Sequence, residues 1–146
     1  RIPDDELLTV MRDQLAEFGV LLGVARDSVH DPRAIVYRPV HSHILPPPWY
    51  RGRVVLVGDA AHTTTPHMAA GAGIAIEDSV VLARELAAED DVATALDRFM
   101  ACRYERCRMI VDNSRTLGEW EKAPNTPGAN PVKLMEQSYR ALAEPI

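Results

Sequence analysis

Asp59 follows a short β-branched run, Val54 to Val57, with Gly58 between, and a loop of small and hydroxylated residues separates it from Gly71-Ala72-Gly73. A carboxylate at the C-terminal end of a strand stands where open α/β sheets bind their ligands, and it can accept hydrogen bonds from ligand hydroxyls. An Asp there can equally serve as a cap or turn residue satisfied by neighbouring backbone N–H groups, and spacing leaves both uses open. Gly71 and Gly73 permit close approach to a helix entrance, whose free N–H groups suit an anionic or carbonyl-rich partner. Plain close packing of helix on strand explains them as well. The pattern lacks the third glycine of a dinucleotide fingerprint, because Ile76 stands there, and the loop from 59 to 70 is far longer than that fingerprint's turn.

Other reactive side chains carry less. His62 and His67 flank three threonines and read as loop histidines hydrogen-bonded to backbone. A triad of Ser79, His62 and Asp59 fails because Ser79 falls within a helix pattern, without the strained turn of a nucleophile. His41 and His43 share a face if extended, but no third ligand is near in sequence, so no metal is expected. Cys102 and Cys107 lie on different faces of one helix and are read as free thiols suited to a reducing compartment. Arg98, Arg103, Arg106 and Arg108, interleaved with Asp97 and Glu105, read as a solvated or ion-paired helix face rather than a phosphate groove.

The chain has 146 residues, 47% hydrophobic, with a net charge of −5 from interspersed acidic and basic residues. That balance favours a packed body and gives no nucleic-acid footprint; with no apolar run of membrane length and no signal peptide, a cytoplasmic protein is expected. The start at Arg1-Ile2-Pro3, without Met, reads as an internal start and hence as a segment of a longer protein.

The elements that must position these residues follow from periodicity. Pro3-Asp4-Asp5-Glu6 signals a helix over about 4–18, with Leu7, Met11, Leu15 and Phe18 as its stripe. Ala34 to Arg38 reads as a strand, and Pro46-Pro47-Pro48 as an extended crossing between two regions. After the strand at 53–57, a helix over about 72–88 places Ala72, Ile76, Val80, Ala83 and Leu86 on one face. A further helix opens at Asp90-Asp91 and is expected to end near Gly118. Asn130-Pro131 then caps a last helix after a Pro/Asn/Gly loop. The divisions are 1–45, helix plus strand; 46–52, the crossing; 53–122, strand, loop and two helices; and 123–146, a C-terminal loop and helix. One strand followed by three helices cannot complete an α/β sheet, so partner strands are expected from elsewhere.

The run Gly52-Arg53-Val54-Val55-Leu56-Val57-Gly58-Asp59-Ala60-Ala61-His62, followed by Pro66, Gly71 and Glu77-Asp78, resembles the second flavin-binding motif of FAD-dependent aromatic hydroxylases, the single-component flavoprotein monooxygenases. Leu45 to Tyr50 resembles the crossing from substrate to flavin domain. Arg103-Tyr104-Glu105-Arg106 and Leu117-Gly118-Glu119-Trp120 resemble the tail of the salicylate-hydroxylase-like branch. The resemblance covers about Ala34 to Trp120. It implies an α/β fold: the C-terminal part of a Rossmann-like FAD-binding domain with a strand or two of the substrate-domain sheet, largely helical after residue 72.

The resemblance also implies roles. Asp59 would bond the ribityl chain of FAD, and the backbone of Gly58, Asp59 and Ala60 would lie near the pyrophosphate. Gly71, Ala72 and Gly73 would present N–H groups to the flavin edge, and Pro66 would stand beside the ring. His67 and Met68 are the expected substrate neighbours, His62 is structural, and no side chain is assigned as catalytic. NAD(P)H would supply electrons, and O2 the oxygen placed on a small aromatic substrate. Two departures stand out. The family commonly has Gly-Gln at Ala69-Ala70 and often Asn at Gly73, so side-chain contacts from positions 70 and 73 are lost while backbone contacts survive. Neither the G-x-G-x-x-G motif for the ADP half nor the middle Asp-Gly motif occurs in these residues. An N-terminal FAD-binding half is therefore the expected partner, and the oligomeric state, a homodimer included, stays open. Two alternatives stay open: a non-catalytic binding or assembly module derived from this family, and a flavin oxidoreductase acting on a non-aromatic substrate.

Overall fold

The computed structural model describes residues 2–146, which are mostly helical with a small sheet and divide into two compact units, one ending at Pro39 and the other running over 40–146. Among the described residues, no helix is long and apolar enough to cross a membrane.

The first unit holds helix α1 (Leu7–Leu15), helix α2 (Val20–Ser28) and a 3-10 turn at Pro32–Ala34. α1 is shorter than the expected 4–18. Residues 3–6 close a turn through Glu6 N–H to Pro3 O at 3.1 Å, and neither Asp4 nor Asp5 caps the helix. α2 contains the apolar run Val20–Val24, and Val20 and Leu21 are 86% and 87% exposed. The strand expected at 34–38 is absent. Ile35 is extended, but its N–H bonds Pro32 O, and no described segment pairs with 34–38 to form a ladder. Leu7, Met11 and Leu15 of the expected stripe instead line an apolar hollow with Ile35 and Tyr37.

In the second unit, β1 (His43–Ile44) bridges antiparallel to His62 and Thr63, while β2 (Tyr50–Arg51) and β3 (Val54–Val55) form an antiparallel hairpin. Gly52, with φ +59°, makes the turn, a conformation only glycine adopts freely. The five-residue strand expected at 53–57 is thus two residues long and sits in a hairpin, since a sheet extends only where neighbours supply its ladder. Helices α3 (Asp59–His62), α4 (Gly71–Ala88), α5 (Val92–Lys122) and α6 (Pro131–Ala143) follow. A 3-10 turn at Pro66–Met68 links α3 to α4.

α4 lies along α5, and Trp49, Met68, Ile74, Val81, Phe99 and Ile110 build the core. The buried face of α4 is Ile74, Asp78, Val81 and Glu85, not the expected stripe: Ile76 is 66% exposed and Val80 55%. The helix is apolar on more than one side, and a buried ion pair from α5 selects the face that turns inward. α5 runs four residues past its expected end. A Cβ on Gly118 would lie 2.6 Å from His67 Cε1, so this glycine admits an imidazole instead of stopping the helix. Asp91 and Asn130 cap α5 and α6, accepting from Thr94 N–H and Lys133 N–H.

Candidate functional site

Gly58 leaves β3 with φ +58° and ψ −140°, and this turn delivers Asp59 to the first residue of α3. The Asp59 residue is exposed, and its carboxylate makes no hydrogen bond or ion pair among the described residues. It is therefore neither a cap nor a satisfied turn residue, which removes one of the two uses open to it. The carboxylate borders a cleft of about 500 Å³ whose other walls include Thr64, Pro66, Ala69, Gly71 and Ala72. A Cβ on Gly71 would meet Thr64 Cγ2 at 3.0 Å, so a side chain there would press on the opposite wall.

The cleft opens on the N-terminus of α4. The first bond of that helix is Ile74 N–H to Ala70 O at 3.0 Å, so the N–H groups of Gly71, Ala72 and Gly73 lie ahead of the helical ladder. No side chain caps this end and no acidic residue sits in its first turn. Nothing lies within 4 Å of a Cβ built on Gly73. Free donors and the positive end of an 18-residue helix favour an electron-rich ligand edge.

One conformational cost sits in the wall. Ala69 adopts φ +49° in the left-handed region. Relief of that strain by glycine, roughly 1–2 kcal/mol, exceeds the roughly 0.4–1 kcal/mol of added unfolded-state entropy. Ala69→Gly is therefore expected to stabilise the protein by about 0.5 kcal/mol, read as a higher urea midpoint at unchanged slope. A lower midpoint would show that Ala69 is not strained.

Behind the cleft lies a buried charge network that sequence reasoning missed. Asp78 Oδ2 accepts from Gly58 N–H at 2.8 Å and meets His62 Nε2 at 2.6 Å, while Oδ1 takes Arg103 Nε at 2.8 Å. Arg103 also donates to Glu77 Oε2 at 2.7 Å and to Ile74 O at 3.0 Å. Arg106 grips both oxygens of Glu77 at 2.8 Å and donates to Ala141 O and Leu142 O of α6. Asp78 thus holds the turn carrying Asp59 against the helix that forms the opposite wall. Burial by itself would raise the Asp78 carboxyl, but the bonds from His62, Gly58 N–H and Arg103 outweigh it and hold it below the ordinary range. The same opposition, with Arg106 and Arg103 as the partners, lowers Glu77.

His62 is not the backbone-bonded loop histidine expected: it is a buried residue of α3 paired to a carboxylate. Arg103, expected on a solvated or ion-paired face, is ion-paired but fully buried. The readable signal was phase, since Asp78 shares the helical spacing of Ile74 and Val81, and Arg103 that of Leu96 and Phe99. His62, Asp78 and Cys107 stand close enough to suggest metal ligation. Burial pushes the Cys107 thiol up to about 12, and a guanidinium already occupies Asp78, so the cluster is built around a cation that Arg103 supplies.

Of the other site residues, Gly58 is buried with its N–H spent on Asp78, whereas Ala60 is exposed in α3. Asp59, Pro66, Gly71 and Ala72 share the cleft. Met68 is buried in the core, and His67 lines a separate cavity.

A strand end, a glycine turn and an uncapped helix entrance around one cleft form the layout of a cofactor-binding segment. The chain belongs to a family of FAD-binding domains: the FAD binding domain model matches residues 4–114. FAD is accordingly its cofactor. Among its relatives, the aurachin C monooxygenase/isomerase of Stigmatella aurantiaca is 43% identical over 93 residues, covering 62% of this chain and 24% of that protein. The 3-hydroxybenzoate 6-hydroxylase 1 of Aquipseudomonas alcaligenes is 46% identical over 74 residues, covering 51% of this chain and 19% of that protein. The structure of an HpxO variant from Klebsiella pneumoniae, complexed with FAD, superposes with a TM-score of 0.72 at 28% identity, covering 97% of this chain and 35% of that one. The chain therefore spans about a quarter of the length of the curated relatives it matches.

Proposed function

We propose that this chain is the second flavin-binding segment of an NAD(P)H-dependent FAD monooxygenase that hydroxylates a small aromatic substrate. The observation that carries this reading is the cleft in which an unpartnered Asp59 carboxylate faces the uncapped N-terminus of α4. The residues fit the cofactor. Asp59 is placed to accept hydrogen bonds from ribityl hydroxyls, and the N–H groups of Ala72 and Gly73 to donate to the electron-rich edge of the ring. The dipole of α4 then favours negative charge at that edge, a stabilisation suited to the reduced cofactor. Pro66, a rigid apolar wall, helps keep water from the ring. FAD, when bound, supplies the redox and oxygen chemistry, so none of these side chains is needed as a general acid or base.

In this reading residues 1–45 end a substrate domain, 46–52 cross over, and the adenylate half of FAD is held by residues beyond this chain, so the 146 residues alone are inactive. The names of the relatives, a 3-hydroxybenzoate hydroxylase among them, support an aromatic substrate.

The test is the visible spectrum and turnover of the whole enzyme carrying these residues. Flavin bands between about 350 and 500 nm and NAD(P)H oxidation stimulated by a small phenol are expected. An enzyme purified without flavin and unable to take it up would overturn the reading, and flavin with turnover only of non-aromatic substrates would overturn its substrate class.

A further inference from the structure

We propose that a second cavity, separate from the flavin cleft, binds a one- or two-ring planar aromatic molecule that is neutral or cationic and carries a hydrogen-bond donor. The cavity measures about 620 Å³ and lies between the C-terminal end of α5, the start of α6 and the loop joining them. That volume falls within the usual range for small-molecule sites. Leu117, Trp120, Pro131 and Met135 make most of its surface apolar. The Trp120 indole offers a ring to stack on, and the Met135 thioether offers the sulfur–aromatic contact that tolerates varied ring positions.

The polar groups of this cavity are few and held in place. Among the described residues, His67 and Glu121 are the only titratable groups in its lining, and neither Lys nor Arg joins them. The His67 ring sits against Gly118, where a Cβ would come within 2.6 Å of it. Its Nδ1 meets Thr65 Oγ1 at 2.8 Å, Thr65 Oγ1 meets Ser114 Oγ at 2.7 Å, and its Nε2 stands 3.1 Å from Glu121 Oε2. Glu121 Oε1 has no protein partner among the described residues, which leaves an acceptor at the rim of an otherwise apolar hollow. A carboxylate oxygen left without a protein partner disfavours an anionic ligand and rewards a phenolic O–H or an amine.

The cavity and the flavin cleft share no lining residue. Thr65 and Pro66 wall the flavin cleft, whereas His67, the next residue, lines this cavity. Occupancy therefore requires neither flavin nor turnover, and a failed test here leaves the proposed function untouched.

The experiment titrates the protein with 2-naphthol and with 2-naphthoate at neutral pH while following the two tryptophan indole N–H resonances by NMR. Trp120 lines the cavity and Trp49 is buried in the core, so the second serves as an internal control. Saturable shifts at Trp120 but not Trp49 are expected with naphthol, and naphthoate should bind at least about tenfold more weakly. Glu121→Ala, at an exposed position, should weaken naphthol roughly tenfold and bring the two ligands closer together. Met135→Trp should fill the cavity and abolish the Trp120 shift. Equal affinity for the two ligands, shifts shared by both indoles, or no saturable shift would overturn the proposal.

Discussion

Arg103→Met is expected to cost about 3–5 kcal/mol of stability, because it strands the carboxylate of Asp78 in the core without its cation. Arg103 is fully buried, as is Asp78, and the guanidinium also satisfies Glu77 and the Ile74 carbonyl. Met keeps the apolar stem, so lost packing contributes little and the unpaired charge dominates. Urea unfolding followed by circular dichroism reads the loss. A double variant, Arg103→Met with Asp78→Leu, should be destabilised by clearly less than the sum of the single changes, since the second removes the charge that the first left exposed to the core. A cost below about 1 kcal/mol for Arg103→Met would mean that water reaches Asp78 and that the network is not a buried one.

Acid unfolding reads the same pair. Asp78 and Glu77 have folded-state carboxyls held below their ordinary range, so their contribution is complete above the unfolded value and disappears as pH falls through the folded one. In Arg103→Met, the Asp78 carboxyl moves upward, and loss of stability should begin at a higher pH than in the parent protein. The functional weight of this pair is indirect. Asp78 holds Gly58 N–H and His62, which fix the turn carrying Asp59, and it does so from α4, the helix whose entrance forms the other wall. The distance across the cleft is therefore set from behind, by side chains buried outside its lining.

How much of this was legible depended on whether a residue's signal is local. Asp91, Asn130 and Pro131 announce helix starts through bonds made within three residues, and both helices begin there. The positions of Asp59, Pro66 and Gly71 around a strand-to-helix connection could likewise be read. The absence of a strand at 34–38 could not, because β-propensity reports a fit to a ladder and only a partner segment supplies one. α2 was missed because Val20, Leu21 and Val24 give an unbroken apolar run with no helical period. The expected face of α4 rests on apolar spacing alone, which leaves out Asp78 and Glu85, both buried. Asp78 and Arg103 meet across 25 positions of sequence, and only the packing of α4 on α5 makes each the reason the other is buried. Gly118 shows the same limit: a glycine near a helix end reads as a stop, whereas here it gives room for His67.

Asp59→Ala is the second expected result, a loss of FAD affinity of about 10- to 150-fold in the whole enzyme, equivalent to one charge-assisted hydrogen bond of roughly 1.5–3 kcal/mol. Because the side chain is exposed and unpartnered, its removal should leave the urea midpoint unchanged, which separates a binding role from a structural one. Asp59→Asn sharpens the test. An amide keeps one acceptor oxygen but loses the charge, so its affinity should fall between those of the parent and the alanine variant. The loss should appear in FAD dissociation, followed by recovery of flavin fluorescence on dilution, with little change in the substrate's KM, since the carboxylate is assigned to the ribityl chain and not to the substrate. Unchanged FAD affinity in the alanine variant would remove Asp59 from the flavin site and leave the α4 entrance as the only cofactor contact on that side of the cleft. A fall in affinity together with a fall in the urea midpoint would instead make the carboxylate part of the turn's own architecture, contrary to its lack of any bond in the structure.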